Sequence, residues 1–193
     1  EPDEKYLIIP SFSPENKPLG YKSAITANAA MDIAAAVDSL NMYKNILSDI
    51  KPNGYQKTLE KITHLISCLP VYMFDKSGAI KEWSMNEYKE NNAHRHISHL
   101  YCAWPSSETQ HNHALASACR QAIINRNREN TGKDDTASHG WIHKALVEAR
   151  LKKPEAVIRF CCFLKAAYFT THFLQTIIQT AQKAYSAQTL FSE

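Results

Sequence analysis

Asn28-Ala29-Ala30-Met31-Asp32-Ile33-Ala34-Ala35-Ala36-Val37-Asp38-Ser39-Leu40 begins the stretch on which the fold turns. From about Asn28 onward Ile33, Val37, Leu40, Leu47 and Ile50 recur at helical spacing, with Tyr43 and Ile46 flanking them. Lys51-Pro52-Asn53-Gly54 ends the run, because proline cannot continue a helix and Asn-Gly favours a turn. A second helix follows, with Tyr55, Leu59, Ile62, Ile66 and Leu69 on one face, and Pro70 stops it. Two helices joined by a tight turn set the expectation of a mainly α fold built from helix pairs.

Beyond Pro70 the helical period breaks. Val71-Tyr72-Met73-Phe74 and Ala79-Ile80-Lys81-Glu82-Trp83 flank Asp75-Lys76-Ser77-Gly78 and read as two short strands around a glycine-containing turn. This is a small β-hairpin insertion on one rim of a helical domain. Residues 84–110 are polar and irregular, and so long a stretch without regular structure inside a compact domain is usually functional. Helical signal returns over residues 113–128, with Leu115, Ala118, Cys119, Ala122 and Ile123 apolar. Residues 130–138 are a polar loop. A further pair spans residues 140–152 and 154–168, the second with Val157, Phe160, Cys161, Leu164 and Tyr168 inward. Residues 170–188, dominated by glutamine, threonine and alanine, read as a blurred helix, and residues 1–27 as irregular or short extended structure. Recurring helix pairs with long loops on one side are how an α/α toroid reads.

The 193 residues suffice for one domain with a sizeable core, or for part of a larger one, and we expect a single domain over 1–193 with a divergent tail at 169–193. With 44% hydrophobic and 21% charged residues the composition is that of an ordinary globular protein. The net charge of +3 is small and scattered, which argues against nucleic acid or an anionic membrane surface as partner. Cys68, Cys102, Cys119, Cys161 and Cys162 form no C-x-x-C pair and read as buried free thiols. That leans towards a reducing, cytoplasmic setting, as does the lack of a signal peptide at the start. The first residue is Glu1, so the numbering is expected to begin inside a longer gene product.

Pro10-Ser11-Phe12-Ser13-Pro14-Glu15-Asn16 offers a carboxylate on backbone that can barely move, since each proline fixes φ and Pro14 pushes Ser13 into extended conformation. A carboxylic acid so held suits a general acid that must reach a leaving group. The competing reading is a helix start, with Ser13 as N-cap and Pro14 in the first turn.

His94-Arg95-His96-Ile97-Ser98-His99-Leu100-Tyr101 packs three histidines and an arginine into six residues. His96 and His99 have a spacing compatible with a metal site, although no acidic residue lies at ligand spacing and no H-E-x-x-H pattern exists. A surface or core-capping role is a second reading and polar ligand binding a third. The third has a chemical basis: arginine presents a planar fork of donors and neutral histidine one donor and one acceptor, equipment for neighbouring sugar hydroxyls. Trp83, Trp104 and Trp141 either stack on a sugar's apolar face or simply fill the core. Asp134-Asp135, beside Lys133, reads as solvated and is the best internal candidate if another acid acts; Glu82 reads as structural.

Taken in order, Pro10 to Asn16, Leu69-Pro70 with Gly78-Ala79-Ile80-Lys81-Glu82-Trp83, His94 to Tyr101, and Gly140-Trp141 with Ala149-Arg150-Leu151 resemble the catalytic domain of glycoside hydrolase family 95. That family comprises anomer-inverting α-L-fucosidases and their α-galactosidase relatives, and the resemblance covers about residues 8 to 168. It implies an (α/α)6 barrel, of which this chain is a part, preceded by a β-sandwich and a linker. It implies Glu15 as the general acid, with Arg95 and His96 holding the sugar; Asn16, His99 and Trp141 complete the candidate substrate-binding set. The implied substrate is an oligosaccharide or glycoconjugate, with no cofactor, no metal, no nucleic acid and no membrane.

Two departures stand out. Inverting hydrolysis needs a base on the opposite face that activates water. In the family this is an asparagine upstream of the Ser-Pro-Glu-Asn loop, polarised by an aspartate well after the Ala-Arg-Leu helix. Only fourteen residues precede Glu15, and Gln188 of Tyr185-Ser186-Ala187-Gln188-Thr189-Leu190 stands where the aspartate is expected. The family's Gly-Trp-Ser reads Gly140-Trp141-Ile142. The expectation is therefore a chain inactive alone, with a glycan-binding remnant or a helical scaffold for protein partners as the competing functions. A partial toroid exposes apolar helix faces, which predicts poor solubility, self-association or dependence on a missing N-terminal domain.

Overall fold

The computed structural model describes residues 5–131 and 138–168. Among them are five helices: α1 (Ala30–Ile50), α2 (Tyr55–Cys68), α3 (His113–Glu129), α4 (Ser138–Arg150) and α5 (Pro154–Tyr168). One small antiparallel sheet joins β1 (Ser11–Phe12) to β2 (Ile25–Thr26), with Ser11 opposite Thr26 and Phe12 opposite Ile25. The chain is mainly helical, as its periodicity predicts. It divides into two compact units, Glu1–Asp135 and Thr136–Glu193. No helix among the described residues is long and apolar enough to cross a membrane.

Helix α1 starts without a side-chain cap, its first amide donating instead to the Glu82 carbonyl at 3.0 Å. Asp32 in its first turn suits the positive end of the helix dipole. The same carboxylate accepts the Ser11 hydroxyl at 2.5 Å and the Phe12 amide at 3.0 Å, which ties β1 to α1. The helix ends at Lys51, in left-handed conformation with φ 49°, and Gly54, φ 75°, turns the chain into α2. Ala30, Ile33, Ala34 and Leu47 are buried, with Val37 and Leu40 half-buried. Ile50 is not inward as predicted; it is exposed, as are Tyr43 and Ile46. At about 100° per residue Ile46 and Ile50 fall well round the helix from Ile33 and Val37, so the apolar residues form two stripes rather than one.

Helix α3 is capped by Asn112, whose side chain accepts the Leu115 amide at 3.0 Å. Leu115, Ala118, Cys119, Ala122 and Ile123 are all buried, and so are Asn125 and Arg126. In the second unit α4 and α5 pack on each other, with Ala156, Phe160, Cys161 and Leu164 of α5 buried.

The hairpin expected over 71–83 shrinks to one antiparallel bridge, Phe74 with Ile80. Its turn is closed by Asp75, whose Oδ1 accepts from the amides of Ser77 and Ala79 and from the Ser77 hydroxyl, with Gly78 at φ 80°. Asn125 of α3 donates to Asp75 and Ser77, so the turn is pinned to a helix rather than extended as a ribbon. The regular pairing lies instead at β1 and β2, in the stretch read as irregular or short extended. Residues 84–110 are irregular apart from single 3-10 turns at Ser98–Leu100 and Glu108–Gln110.

All five cysteines are free thiols, four of them buried, while Cys162 is exposed rather than buried as expected. Cys102 and Cys119 lie with sulfurs 3.5 Å apart, and their mutual hydrogen bond together with burial pushes the Cys102 thiol well above its ordinary range.

Candidate functional site in the first unit

Ser13-Pro14-Glu15-Asn16 forms a turn, with the Asn16 amide donating to the Ser13 carbonyl at 2.7 Å. It does not start a helix, which sets aside the N-cap reading of Ser13. Ser13 and Asn16 are buried, whereas Glu15 between them is exposed. Alternation of inward polar anchors and an outward carboxylate is what presents an acid from a fixed loop.

The histidine loop is built on the same plan. Ile97, Leu100, Cys102 and Ala103 are fully buried and draw the loop onto the core, which leaves Arg95 and His96 half-buried at its outer side. His94 is buried, with its ring edge-on to His96 at 5.2 Å. His99 is 2% exposed and faces the Arg126 guanidinium, Nδ1 to Nη2 3.5 Å.

The two loops meet directly. The Arg95 guanidinium forms an ion pair with the Glu15 carboxylate, and the Ser98 hydroxyl donates to the Pro14 carbonyl. The side chains of Arg95 and Glu15 are 32% and 60% exposed, so the pair remains open to a ligand.

Beneath them sits a carboxylate that no solvent reaches. Glu82 accepts the Ser13 hydroxyl at 2.7 Å, the Asn16 amide at 2.6 Å and Arg126 Nη2 at 2.7 Å. Burial alone would raise its pKa, but the Arg126 charge, His99 and the Ser13 hydrogen bond outweigh it and hold the carboxyl below its ordinary value. Asn16 also donates to the Asn91 carbonyl at 3.1 Å and accepts from the Asn91 amide at 2.9 Å. Glu90 hangs from the Glu82 backbone, its Oε2 accepting the Glu82 amide at 2.8 Å.

The sequence matches the family model described as "Glycosyl hydrolase family 95 catalytic domain" over residues 1–191. The chain belongs to glycoside hydrolase family 95. A relative, alpha-L-fucosidase 2 of Arabidopsis thaliana, is 28% identical over 157 residues, covering 78% of this chain. The chain spans 18% of that relative's length.

Within this family 95 chain, Glu15 and Arg95 meet at the outer side of the two loops and His96 is half-buried against the His94 ring, while Asn16 and His99 lie beneath and are engaged by Glu82, Asn91 and Arg126. Trp141 belongs to the second unit, where it stacks on Phe163 at 5.0 Å with the Lys144 ammonium 4.9 Å from its ring centre. Trp83 is fully buried and so fills the core rather than offering a platform; Trp104 is half-buried. No three histidine, cysteine, aspartate or glutamate side chains converge into a metal-binding group among the described residues. Asp134, Asp135 and Gln188 lie outside the described residues.

Arg126 and Asn91 did not figure among the sequence candidates. Arg126 did carry a signal, since it falls four residues after Ala122 and seven after Cys119, on the apolar stripe of α3. A cation on a buried stripe requires an anionic partner.

Proposed function

We propose that the chain forms part of an inverting α-L-fucosidase-type catalytic domain with an (α/α)6 barrel, in which Glu15 is the general acid and Arg95 and His96 grip the sugar. The observation that carries this reading is the Glu15–Arg95 ion pair, which brings the two motifs of the family resemblance to one place. The substrate is then a terminal α-L-fucoside of an oligosaccharide or glycoconjugate. Arg95 must first release the Glu15 carboxylate as sugar hydroxyls take up its donors; the freed carboxylate then takes up a proton from solvent, and Glu15 gives that proton to the departing glycosidic oxygen, ending as the carboxylate again. Asn16 and His99 serve from below by holding the two loops.

Inversion also needs a group across the ring that activates water, about 6.5–9.5 Å from the acid. The Glu15 carboxylate faces the Arg95 guanidinium, which cannot act as a base at neutral pH, so the base lies outside this cluster. A second reading, glycan binding without turnover, is favoured by the same ion pair, in which Arg95 already engages the carboxylate.

Hydrolysis of an aryl α-L-fucoside by the complete protein that carries this chain, and its loss in Glu15→Gln by about 10²–10⁴-fold, tests the reading. Unchanged turnover in the variant would reject Glu15 as the acid. Fucose binding without any release above a buffer blank would favour the second reading.

A further inference from the structure

We propose that Glu82 and Arg126 are positioning residues that set the separation of the acid from the sugar-gripping arginine, an inference that rests on the reading of Glu15 above. The Glu15–Arg95 ion pair joins the tips of one exposed and one half-buried side chain, and the Ser98 hydroxyl ties the histidine loop to the Pro14 carbonyl, but neither contact fixes Ser13, Asn16, His94 or His99. The remaining supports of the two loops are buried. Ser13 and Asn16, on either side of Pro14-Glu15, both end on the Glu82 carboxylate, at 2.7 and 2.6 Å. His94 and His99, on either side of Arg95-His96, both face Arg126: Nη1 donates to the His94 carbonyl at 3.3 Å and Nη2 lies 3.5 Å from His99 Nδ1. The Asn91 carbonyl is 3.4 Å from the same Nη1 and accepts from Asn16 as well. One anion therefore brackets the acid, one cation brackets the sugar loop, and the two are joined at 2.7 Å with both side chains 0% exposed.

Stability alone is a weak reason for such a pair, since replacing a buried ion pair by apolar groups of similar volume is often neutral or stabilising. Positioning is a stronger one. Three charge-assisted hydrogen bonds on one carboxylate fix its neighbours in direction as well as distance. A displacement of about 1 Å at a reacting centre can cost on the order of 10²-fold in rate. Glu82 has no exposed surface, so it reaches the reaction only through the residues it holds: Ser13 and Asn16 beside the acid, and Arg126 beneath the sugar loop.

A misplaced general acid has a kinetic signature that general loosening lacks. Its loss matters most when the departing oxygen is basic and least when that oxygen leaves unaided. The test compares methyl and 2,4-dinitrophenyl α-L-fucosides in the complete protein carrying this chain. Ser13→Ala leaves the charge pair intact and is the mild variant; Glu82→Gln is the direct one. Both are expected to lower kcat about tenfold or more on the methyl fucoside, with the dinitrophenyl fucoside and both KM values within about twofold, and Ser13→Thr to restore it. Glu15→Gln serves as reference. If it shows the leaving-group pattern and the Ser13 and Glu82 variants lose rate uniformly or not at all, the positioning inference is overturned while the acid assignment stands. If Glu15→Gln itself lacks the pattern, the assignment of the acid fails, and the positioning inference with it.

Hydrogen exchange on the complete protein carrying this chain gives a readout independent of turnover. Glu82→Gln is expected to speed exchange at the Asn16 and Leu100 amides together by about tenfold or more, with α2 unchanged. A response confined to one loop, or equal acceleration in α2, would overturn the inference.

Discussion

Glu15 and Arg95 stand 80 positions apart in the chain and meet as an ion pair at the surface of the first unit. Pairs this exposed contribute about 0–1 kcal/mol to stability. The arginine's proposed work lies elsewhere, in donating its fork to sugar hydroxyls. Arg95→Met should therefore raise KM for an aryl α-L-fucoside about tenfold or more, the loss expected for a charged hydrogen bond, while the thermal midpoint stays almost unchanged. Arg95→Lys should recover part of the loss, because it keeps the charge and not the fork. Steady-state kinetics beside a thermal melt check this; a large fall in the midpoint with KM intact would make Arg95 a support of the fold instead.

How much of this was legible follows from where each signal resides. Helix α3 was readable because Leu115, Ala118, Cys119, Ala122 and Ile123 repeat at one period on one face, and all five are buried. Strands β1 and β2 were not, because two residues each carry no alternation to detect. The candidate acid and the arginine were legible as motifs, yet their meeting was not, since nothing local links residue 15 to residue 95. The network under them was the hardest part. Glu82 sits among apolar neighbours in Ala79-Ile80-Lys81-Glu82-Trp83, and Arg126 on the apolar stripe of α3. Each alone reads as an oddity, and only the fold shows that they answer one another.

Asp32 is the next place to test, because one carboxylate does two jobs. It lies in the first turn of α1 and accepts both the Ser11 hydroxyl and the Phe12 amide. Asp32→Ala removes two charge-assisted hydrogen bonds and a favourable helix-dipole contact, and should cost about 2–4 kcal/mol. Asp32→Asn keeps an acceptor and should cost less. Urea denaturation of the two variants gives the comparison, and equal losses would mean that the charge, rather than the hydrogen bonds to β1, carries the effect.

Asn112 makes a narrower prediction. Its side chain satisfies the Leu115 amide, one of the donors left without a partner at the start of α3. Asn112→Ala should lower stability by about 1 kcal/mol, and Asn112→Asp or Asn112→Ser by much less. Because α3 carries Arg126, hydrogen exchange near the helix start should rise without disturbing the Glu82–Arg126 contact. Loss of protection at the Asn16 amide in Asn112→Ala would show that the helix start and the site are not independent.

Glu82 and Glu90 should impose opposite pH dependences on stability. The Glu82 carboxyl is held below its ordinary value, so its contribution is present above the pKa of the unfolded chain and is lost as pH falls through the folded value. Glu90 runs the other way. Burial pushes its carboxyl up to about 7, the Glu82 carboxylate pushes in the same direction, and the Glu82 amide, Lys81 and Arg126 only partly offset them. A carboxyl raised in the fold stabilises fully below the unfolded value of about 4.5 and loses that contribution as pH rises through about 7. Its Oε1 is buried without a hydrogen-bond partner among the described residues, so ionisation places charge where nothing receives it. Glu90→Gln keeps an acceptor for the Glu82 amide and cannot ionise. It should match the wild type near pH 5 and exceed it at pH 8 by on the order of 1–3 kcal/mol. Urea melts at pH 5, 6, 7 and 8 decide the matter: parallel curves for the two proteins would mean that Glu90 does not titrate within this window.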